Sequence, residues 1–235
     1  MSRFKSYAKL NLSLYVGRPE QSGRHPISSI FQSIDFCDHI EISSATTTSL
    51  EFISATSIPS ENTCSNILSE LAPHLKKKWD IKIKKNIPQG SGLGGGSSNA
   101  ATLLMALIQL ENIQLSINEQ VNICATIGSD VPFFLTTGRA LVSGTGEKIT
   151  PLTNQPRWVV LICPNIHCDT GKVYRMFDTL NTFDDLNEHY DYNNHAIGFN
   201  APMSAAIQCY PELQAVLNKC KMHTNQPIFF SGSGS

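Results

Sequence analysis

A glycine-rich stretch carries the clearest chemical signal in the sequence, because it leads straight into a run of apolar residues. Its members are Pro88, Gln89, Gly90, Ser91, Gly92, Leu93, Gly94, Gly95, Gly96, Ser97 and Ser98. Glycines let the backbone adopt positive φ and approach a ligand closely, while the start of a helix offers N–H donors and the positive end of its dipole. The pattern predicts a loop and helix N-terminus that bind a phosphate group. A flexible linker is the alternative, but the apolar spacing of Ala100, Leu103, Leu104 and Leu107 favours a helix that follows at once.

Two charged residues stand at positions for which the local sequence pattern indicates only a structural setting. Lys9 lies in a segment, residues 8–16, whose even positions are apolar and whose odd positions are mostly polar. Asp130 follows Gly128 and Ser129, where a predicted helix ends. Taken singly, Lys9 would be a solvent-exposed strand residue and Asp130 an ordinary turn residue.

Hydrophobic periodicity predicts the elements that must position these residues. The alternation at residues 8–16 is typical of a half-buried strand that carries Lys9 and Asn11 on one face. Further strands are predicted at residues 30–42, 81–84, 133–135, 139–143, 158–163 and 227–230. Helices are predicted at residues 65–78, directly after the glycine stretch, from a capping box at Ser116 and Glu119 to Gly128, and at residues 170–180 and 211–221. Residues 183–200 indicate a loop, and the proline-flanked residues 151–156 indicate a subdomain boundary.

The bulk properties exclude several classes of protein. The chain has 235 residues, a hydrophobic fraction of 41% and a formal net charge of -1, which together favour a folded globular protein over a strongly basic nucleic-acid binder. No apolar run approaches the roughly 20 residues that a membrane-spanning helix needs, and the N-terminus lacks a signal-peptide core. We therefore expect a cytoplasmic protein that binds neither nucleic acid nor membranes.

The cysteines do not form a recognisable metal or disulfide framework. There are seven, scattered and without a C-x-x-C pair, which favours reduced thiols over a secreted disulfide scaffold or a zinc ribbon. Cys163, His167 and Cys168 are close in sequence but lack a fourth ligand at a sensible spacing. No dedicated protein metal site is expected.

Two common nucleotide-binding motifs fit the glycine stretch poorly. Residues 90–95 satisfy G-x-G-x-x-G, and Glu111 stands near the position of a ribose-binding acid, but a lone match of this kind is weak. A dinucleotide-binding strand is buried on both faces, whereas Ile81 and Ile83 alternate with lysines and belong to a one-sided sheet. The Lys and Ser/Thr pair that ends a P-loop is also absent.

Five motifs occur together in an order and spacing that resemble the GHMP kinase superfamily. They are residues 8–12 (Ala-Lys-Leu-Asn-Leu), the loop at 88–101, residues 128–134, residues 144–147 and the Ser-Gly-Ser-Gly-Ser turn at 231–235. Within the superfamily, three features are most similar to the family of 4-diphosphocytidyl-2-C-methyl-D-erythritol kinases. These are the run Gly-Leu-Gly-Gly-Gly-Ser-Ser-Asn-Ala-Ala, His25 ahead of Phe31 and Gln32, and Gly146-Glu147 ahead of Pro151-Leu152. The likeness extends over residues 7–235, nearly the whole chain.

The resemblance implies a reaction and assigns roles to residues. The expected enzyme transfers the γ-phosphoryl group of ATP to the 2-hydroxyl of 4-diphosphocytidyl-2-C-methyl-D-erythritol in non-mevalonate isoprenoid (terpenoid) biosynthesis. Asp130 matches the catalytic base and Lys9 matches the lysine paired with it, while residues 88–98 match the ATP-phosphate loop. Mg²⁺ is expected to bridge phosphate oxygens and to keep several waters.

The resemblance also assigns substrate contacts, with one departure from the family pattern. Asn11 and His25 match positions that contact the cytidine-bearing substrate. Arg24 stands where the family usually has a tyrosine that packs against the cytosine. A guanidinium plane can stack on a base in place of the aromatic ring. We therefore expect Arg24 to belong to the substrate site.

The implied fold is a two-subdomain α+β GHMP kinase fold. Its N-terminal part, residues 1–153, would resemble domain 2 of ribosomal protein S5 and carry ATP binding and catalysis, with the active site in the cleft between the subdomains. The C-terminal part, residues 154–235, would be an incomplete ferredoxin-like domain, since the family continues beyond the Ser-Gly turn. We therefore expect a truncated form with impaired folding or activity.

Two alternatives to this function stay open at the sequence level, and the oligomeric state is left undetermined. The chain could be another small-molecule GHMP kinase, such as a homoserine kinase. It could also be a nucleotide-binding remnant without turnover.

Overall fold

Strands and helices are mixed along the described residues, which are 1–136, 138–189 and 191–232 of the computed structural model. Over these residues the strands are β1 (Ser2–Val16), β2 (Ile27–Ala45), β3 (Ser49–Ile53), β4 (Lys78–Lys84), β5 (Arg139–Gly144) and β6 (Lys148–Leu152). The helices are α1 (Thr63–Leu71), α2 (Gly95–Glu111), α3 (Ile117–Ile127), α4 (Thr170–Leu180), α5 (Met203–Cys209) and α6 (Glu212–Lys221). The predicted α+β class is confirmed.

The chain divides into two units that interleave in sequence. The first unit comprises Met1–Lys9, Ser33–Gln89 and Gly94–Thr137, and the second comprises Leu10–Gln32, Gly90–Leu93 and Gly138–Ser235. Strands β1 and β2 therefore contribute residues to both units, and β1 pairs with β2. The boundary that the sequence suggests near residue 153 stays a prediction.

The first unit is built on a one-sided sheet covered by helices. Strand β4 pairs in parallel with β3 and antiparallel with the second half of β2, where Ile40 lies opposite Ile83 and Ile42 opposite Ile81. These isoleucines are buried, whereas the lysines that alternate with them in β4 are not. Helices α1 and α2 contribute further buried side chains, namely Ile67, Leu71, Leu103, Leu104 and Leu107. The apolar residues that alternate along the strands and those on one face of each helix thus form one core.

The second unit has a separate core formed mainly by helices. Strand β5 pairs antiparallel with the first half of β2 and with β6. The buried residues of the core are Leu14, Val16, Cys168, Val173, Phe177, Ala205, Ala206 and Leu213. Helix α4 begins where the Asp169 side chain accepts a hydrogen bond from the N–H of Lys172. Its length matches the predicted range of 170–180.

Strand β1 differs from the expected half-buried strand. Its apolar positions are buried as predicted except Leu12, which is half-buried, but the intervening polar residues Lys9, Asn11 and Ser13 are buried as well, at 3%, 7% and 1% exposure. Polar side chains are buried at low cost only when they have partners. The polar residues of this strand must therefore have hydrogen-bond or ionic partners inside the protein.

Four further expectations are corrected by the structure. Residues 133–135 are not a strand, because Pro132–Leu135 forms a 3₁₀ turn with proline at its start, where the missing N–H costs nothing. Residues 158–163 and 227–230 are not strands either, and they form no regular element. The helix predicted at 65–78 ends at Leu71, and Lys78 already belongs to β4. Within the described ranges, no helix combines the length and apolarity that crossing a bilayer requires.

Candidate active site

Both predicted catalytic residues lie together in the first unit. The Nζ atom of Lys9 is 3.2 Å from Oδ2 of Asp130. The Lys9 side chain is 4% exposed, whereas that of Asp130 is 34% exposed. The ammonium is thus held inside the protein, and the carboxylate stays accessible to a molecule arriving from solvent. This arrangement suits a base that acts on a bound hydroxyl with a fixed positive charge beside it.

The local sequence explains why Asp130 stands where it does. Helix α3 begins at the predicted capping box, in which Ser116 N–H donates to Glu119 Oε2 at 2.7 Å and Glu119 N–H donates to Ser116 Oγ at 3.3 Å. It ends at Gly128, as predicted, and the N–H of Val131 donates back to the Gly128 carbonyl at 3.1 Å. Asp130 therefore occupies a tight turn, which holds its backbone rigidly against the following 3₁₀ turn.

Helix α2 presents an N-terminus suited to an anion. Its N-cap is Gly94, no side chain of the described residues caps it, and its first turn contains no acidic residue. The first N–H groups of a helix have no intrahelical partner and lie at the positive end of the dipole. Phosphate oxygens can satisfy these groups.

Close packing brings this helix start against Lys9. Gly94 has φ of 70°, and a Cβ atom there would lie 2.8 Å from Phe134 Cζ and 3.1 Å from Lys9 Cγ. A side chain at this position would collide with both neighbours and strain the backbone. Glycine at position 94 therefore places the helix start in contact with the stem of Lys9, so that the ammonium, the Asp130 carboxylate and the helix N-terminus belong to one site.

The predicted phosphate loop divides between the two units. Residues Gly90–Leu93 belong to the second unit, where Gly92 has φ of 70° and a Cβ atom on it would lie 3.0 Å from the Ser231 carbonyl oxygen. A Cβ on Gly90 would lie 2.9 Å from Nδ1 of His167. Pro88 and Gln89 are exposed, whereas Ser91 and Leu93 are buried. The hydroxyl of Ser98 faces inward and accepts a hydrogen bond from Ser6 at 2.7 Å.

A groove of about 650 Å³ opens in the first unit between β3, the segment at residues 54–60 and α1. Its lining includes Thr56 and Asn62. The Thr56 hydroxyl donates to Gln89 Oε1 at 3.0 Å, and the hydroxyl of Thr63, next to Asn62, donates to the Gly96 carbonyl at 2.9 Å. Residues in and beside the groove are therefore hydrogen-bonded to Gln89 and to Gly96, the two parts of the glycine stretch that belong to this unit.

The predicted substrate residue Asn11 is buried in the second unit. Its backbone N–H donates to Ser231 Oγ at 2.9 Å, and its Nδ2 donates to Ser29 Oγ at 3.0 Å. The rest of the predicted Ser-Gly turn, residues 233–235, lies outside the described residues. Alongside β1, Asn200 donates through Nδ2 to the Gly232 carbonyl at 2.8 Å. The Asn11 side chain is thus held in a fixed orientation by neighbouring polar groups.

His25 is also fixed in the second unit, whereas Arg24 is exposed. The His25 ring lies 2.9 Å from the Gly17 carbonyl through Nδ1 and 3.0 Å from Asp178 Oδ1 through Nε2, and its side chain is 6% exposed. Phe183 stacks on it with 5.8 Å between ring centroids. Arg24 lies in the turn before it, where its carbonyl accepts from the Glu20 N–H. Neither the Asp178 partner nor the aromatic contact was predicted from the sequence.

A buried histidine fastens the neighbouring segment to β1. His195 Nδ1 lies 2.7 Å from the Ser13 hydroxyl, and Nε2 lies 2.8 Å from the His189 carbonyl. Burial lowers the pKa of this imidazole, which favours the neutral ring that accepts from Ser13 and donates to His189. The position has a structural role and leaves Asn11 on a rigid strand.

One polar cluster next to the phosphate loop escaped the sequence analysis. Asp38 is fully buried and accepts hydrogen bonds from the backbone N–H groups of Asn86 and Ile87. A signal was available, because period 2 puts Asp38 on the face of β2 that also carries Ile40 and Ile42. A lone aspartate within an apolar stripe requires a buried partner.

The described residues contain no group of three or more His, Cys, Asp and Glu side chains that could hold a metal ion. All seven cysteines carry free thiols. Burial raises the pKa of the Cys64 and Cys124 thiols to about 12, so these two are not nucleophiles near neutral pH.

Comparisons with known proteins identify the family. Residues 62–138 match the model of the GHMP kinases N terminal domain. A 4-diphosphocytidyl-2-C-methyl-D-erythritol kinase of Alkaliphilus oremlandii (strain OhILAs) is 36% identical over 98% of this chain and 84% of its own length. The enzyme of that name from Pasteurella multocida (strain Pm70) is 33% identical over 99% and 79%.

Solved structures agree at the level of the fold. The match to the crystal structure of a 4-(cytidine 5'-diphospho)-2C-methyl-D-erythritol kinase covers 100% of this chain and 88% of that chain. Its TM-score is 0.78 at 26% sequence identity. A mevalonate kinase structure gives the same coverage with a TM-score of 0.68 at 14% identity, and this likeness concerns the fold alone. Near-complete coverage at more than 30% identity, joined to the GHMP domain match, is sufficient for one conclusion: the chain belongs to the GHMP kinase family.

Proposed function

We propose that this GHMP kinase transfers the γ-phosphoryl group of ATP to the 2-hydroxyl of 4-diphosphocytidyl-2-C-methyl-D-erythritol. The observation that carries the proposal is the contact between Lys9 and Asp130 beside the uncapped start of α2. Phosphoryl transfer depends on positioning and on charge stabilisation more than on covalent chemistry by the protein. A base, a buried ammonium and an anion-binding helix end supply these functions in one place.

Each residue has a defined task in the proposed reaction. The Asp130 carboxylate accepts the proton of the substrate hydroxyl as its oxygen attacks the γ-phosphorus, and ADP leaves. The Lys9 ammonium offsets the charge on the transferring group, and the N–H groups at the start of α2 bind the phosphates.

ATP would enter as its magnesium complex. Mg²⁺ keeps several waters and takes phosphate oxygens together with one or two protein oxygens, so it needs no cage of side chains. The hydroxyl of Ser97 in the first turn of α2 fits this requirement and would hold it. The nucleoside end would extend to the groove beside Thr56 and Asn62, which connects with the glycine stretch through the hydrogen bonds described above.

The choice of acceptor is supported by the relatives and by the fixed polar groups of the second unit. Two relatives at 36% and 33% identity are named for this substrate. Asn11 and His25 are held by neighbouring groups, so contacts that the acceptor makes with them would cost little conformational entropy. The exposed guanidinium of Arg24 would stack on the cytosine.

The first test is phosphorylation of 4-diphosphocytidyl-2-C-methyl-D-erythritol by the purified chain with ATP, followed by phosphorus NMR. We expect one phosphomonoester to form, and we expect Asp130→Asn to lower turnover by at least about 100-fold, since a positioned base contributes about 10² to 10⁴. Asp35→Asn is the matched control, because Asp35 is an exposed aspartate of β2 to which the proposal gives no role. It should leave turnover unchanged.

The same assay separates the competing functions. Phosphorylation of homoserine or mevalonate, but not of the cytidyl compound, would overturn the substrate and leave a kinase. Protection from proteolysis by ATP without ADP formation for any of these acceptors would overturn the enzymatic proposal and leave a nucleotide-binding protein.

A further inference from the structure

The carboxylate of Asp38 lies between the residues that precede the glycine stretch and the helix that follows it. Its Oδ1 accepts from the backbone N–H groups of Asn86 at 2.7 Å and Ile87 at 2.9 Å, where the chain leaves β4. Its Oδ2 accepts from Nδ2 of Asn99 at 2.9 Å, in the second turn of α2. One side chain on a third element thus joins the entry and the exit of the stretch.

A lysine completes the cluster and reaches the helix start. The Lys85 ammonium forms an ion pair with Asp38 Oδ2 and donates to Asn99 Oδ1 at 2.7 Å. Asn99 also donates to Ser6 Oγ at 2.8 Å, which links the cluster to β1. A Cβ atom on Gly95 would lie 3.3 Å from Lys85 Nζ. The cluster is therefore in direct contact with the first residue of α2.

Every side chain of this cluster is buried and has partners. Asp38 is 0% exposed, Asn99 is 1% exposed and the Lys85 side chain is 8% exposed. A buried ion pair contributes little to stability compared with an apolar core of the same shape, but removing one member leaves an uncompensated charge. Stability alone therefore gives no reason to place a charged pair in this core.

We propose that Asp38 is the positioning residue of the phosphate site: it fixes the glycine stretch relative to α2 and neutralises Lys85 below the helix start. The inference rests on the proposed binding of ATP phosphates there. Lys9 packs against the same helix start, in contact with Gly94. With Asp38 in place, the charge of Lys85 is balanced within the cluster, while Lys9 stays beside Asp130 at 3.2 Å, where the phosphoryl group would be transferred.

The geometry makes the effect on the reaction specific. Asp38 bonds to N–H groups at both ends of the ATP-binding stretch, whereas Asn11 and His25 have other partners in the second unit. Loss of Asp38 would shift the phosphates relative to Lys9 and Asp130 without altering the acceptor contacts. A displacement of about 1 Å can cost roughly 100-fold in rate.

The test compares Asp38→Asn with the matched control Asp35→Asn, which makes the same change three residues away on the exposed face of β2. An asparagine at 38 still accepts from Asn86 and Ile87, but its amide turns a donor toward Lys85 and Asn99. We expect kcat to fall about tenfold or more and the KM for ATP to rise, with the KM for the acceptor unchanged. The control should match the parent in all three constants.

A second variant keeps the test decisive if Asp38→Asn folds poorly. The double variant Asp38→Asn with Asn99→Asp exchanges the carboxylate and the amide between positions 38 and 99. Lys85 therefore keeps its counter-ion, and every donor keeps an acceptor. We expect it to restore folding and most of kcat relative to Asp38→Asn. Rates are measured below the melting temperature of each variant, with the folded fraction checked by circular dichroism.

The outcomes separate this inference from the proposed function. A folded Asp38→Asn variant with parental kcat and KM for ATP would overturn the positioning role while the kinase proposal stands, and so would equal losses for ATP and acceptor. Failure of the parent chain to bind ATP in a calorimetric titration would instead overturn the proposed function on which the inference rests.

Discussion

At the residue scale, Lys9 is notable because its charge is almost completely buried beside a carboxylate that is not. A buried ammonium is retained at a cost in solvation, and an apolar residue of similar shape would often serve stability as well or better. The position therefore points to chemistry. The partner Asp130 would stay solvated if Lys9 were removed, since a third of its side chain is exposed.

Lys9→Met is expected to separate these contributions. The melting temperature should be unchanged or slightly higher, while kcat should fall by about 10² to 10³, the range seen when one preorganised stabilising group is lost. Thermal denaturation and steady-state kinetics on the same preparation check both parts. A variant that loses stability in proportion to its activity would show that Lys9 is mainly structural.

Gly94 allows a test of contact as distinct from backbone conformation. Gly94→Ala adds a methyl 2.8 Å from Phe134 Cζ at a φ of 70°. Gly23 has φ of 76° and nothing within 4 Å of the added methyl. We expect Gly23→Ala to lower the unfolding free energy by about 1 kcal/mol and Gly94→Ala to lower it by more. Urea titration gives the comparison, and equal losses would contradict the packing that we describe.

The catalytic pair could be predicted from the sequence only through the combination of motifs. Lys9 and Asp130 have no distinguishing neighbours of their own, and simple parity placed Lys9 in solvent. Asp38 was missed, although its parity with Ile40 and Ile42 indicates a buried charge, and its partners Lys85 and Asn99 lie far away in sequence. Long-range polar partners are not encoded in local periodicity.

At the element scale, Glu111 at the end of α2 holds the turn that leads into β4. Its carboxylate accepts from the N–H of Lys76 at 2.7 Å, from Lys77 at 3.2 Å and from Trp79 Nε1 at 2.6 Å. Partial burial by itself raises the pKa of Glu111, but these hydrogen bonds outweigh it and hold the pKa below its usual value. The residue is structural, as the poor match to a dinucleotide fold suggested.

The lowered pKa makes a signed prediction for stability against pH. A carboxylate whose pKa is lowered by folding adds stability that is complete above its unfolded pKa of about 4.3 and is lost as the pH falls through the folded value. Glu111→Gln should therefore lower the unfolding free energy by roughly 1 to 3 kcal/mol at pH 7, with the difference shrinking below about pH 4. Urea unfolding at pH 7, 5 and 3 checks this, and a difference independent of pH would exclude the charged form as the cause.

Elements with strong local signals were predicted well, and elements that depend on pairing were not. The capping box at Ser116 and the periodicity of α4 are local, and both helices begin and end as expected. The short strands β3 and β6 have weak patterns and exist because β4 and β5 offer edges for pairing. The apolar run at 158–163 has the pattern of a strand, but in the structure these residues do not form one.

At the scale of the whole molecule, that apolar run exposes several large hydrophobic side chains next to one another in sequence. Trp158 is fully exposed, and Val160 and Ile162 are 90% and 53% exposed. Exposed apolar segments of high β-propensity promote association. We expect Trp158→Ser with Val160→Ser to shift the onset of self-association to severalfold higher protein concentration without loss of kinase activity. Light scattering over a concentration series checks this, and an unchanged onset would assign association to another surface.

The uncapped start of α2 makes the nucleotide a partner in folding as well as in catalysis. Phosphate oxygens would supply the hydrogen-bond acceptors that a capping side chain provides in other helices, so a bound ligand would stabilise the start of this helix. A ligand at roughly 100 times its Kd stabilises the folded state by about 2.7 kcal/mol. The lifetime of this protein against proteolysis would thus follow the supply of its phosphate donor, and a thermal-shift screen of polyphosphates would find that donor before any acceptor is known.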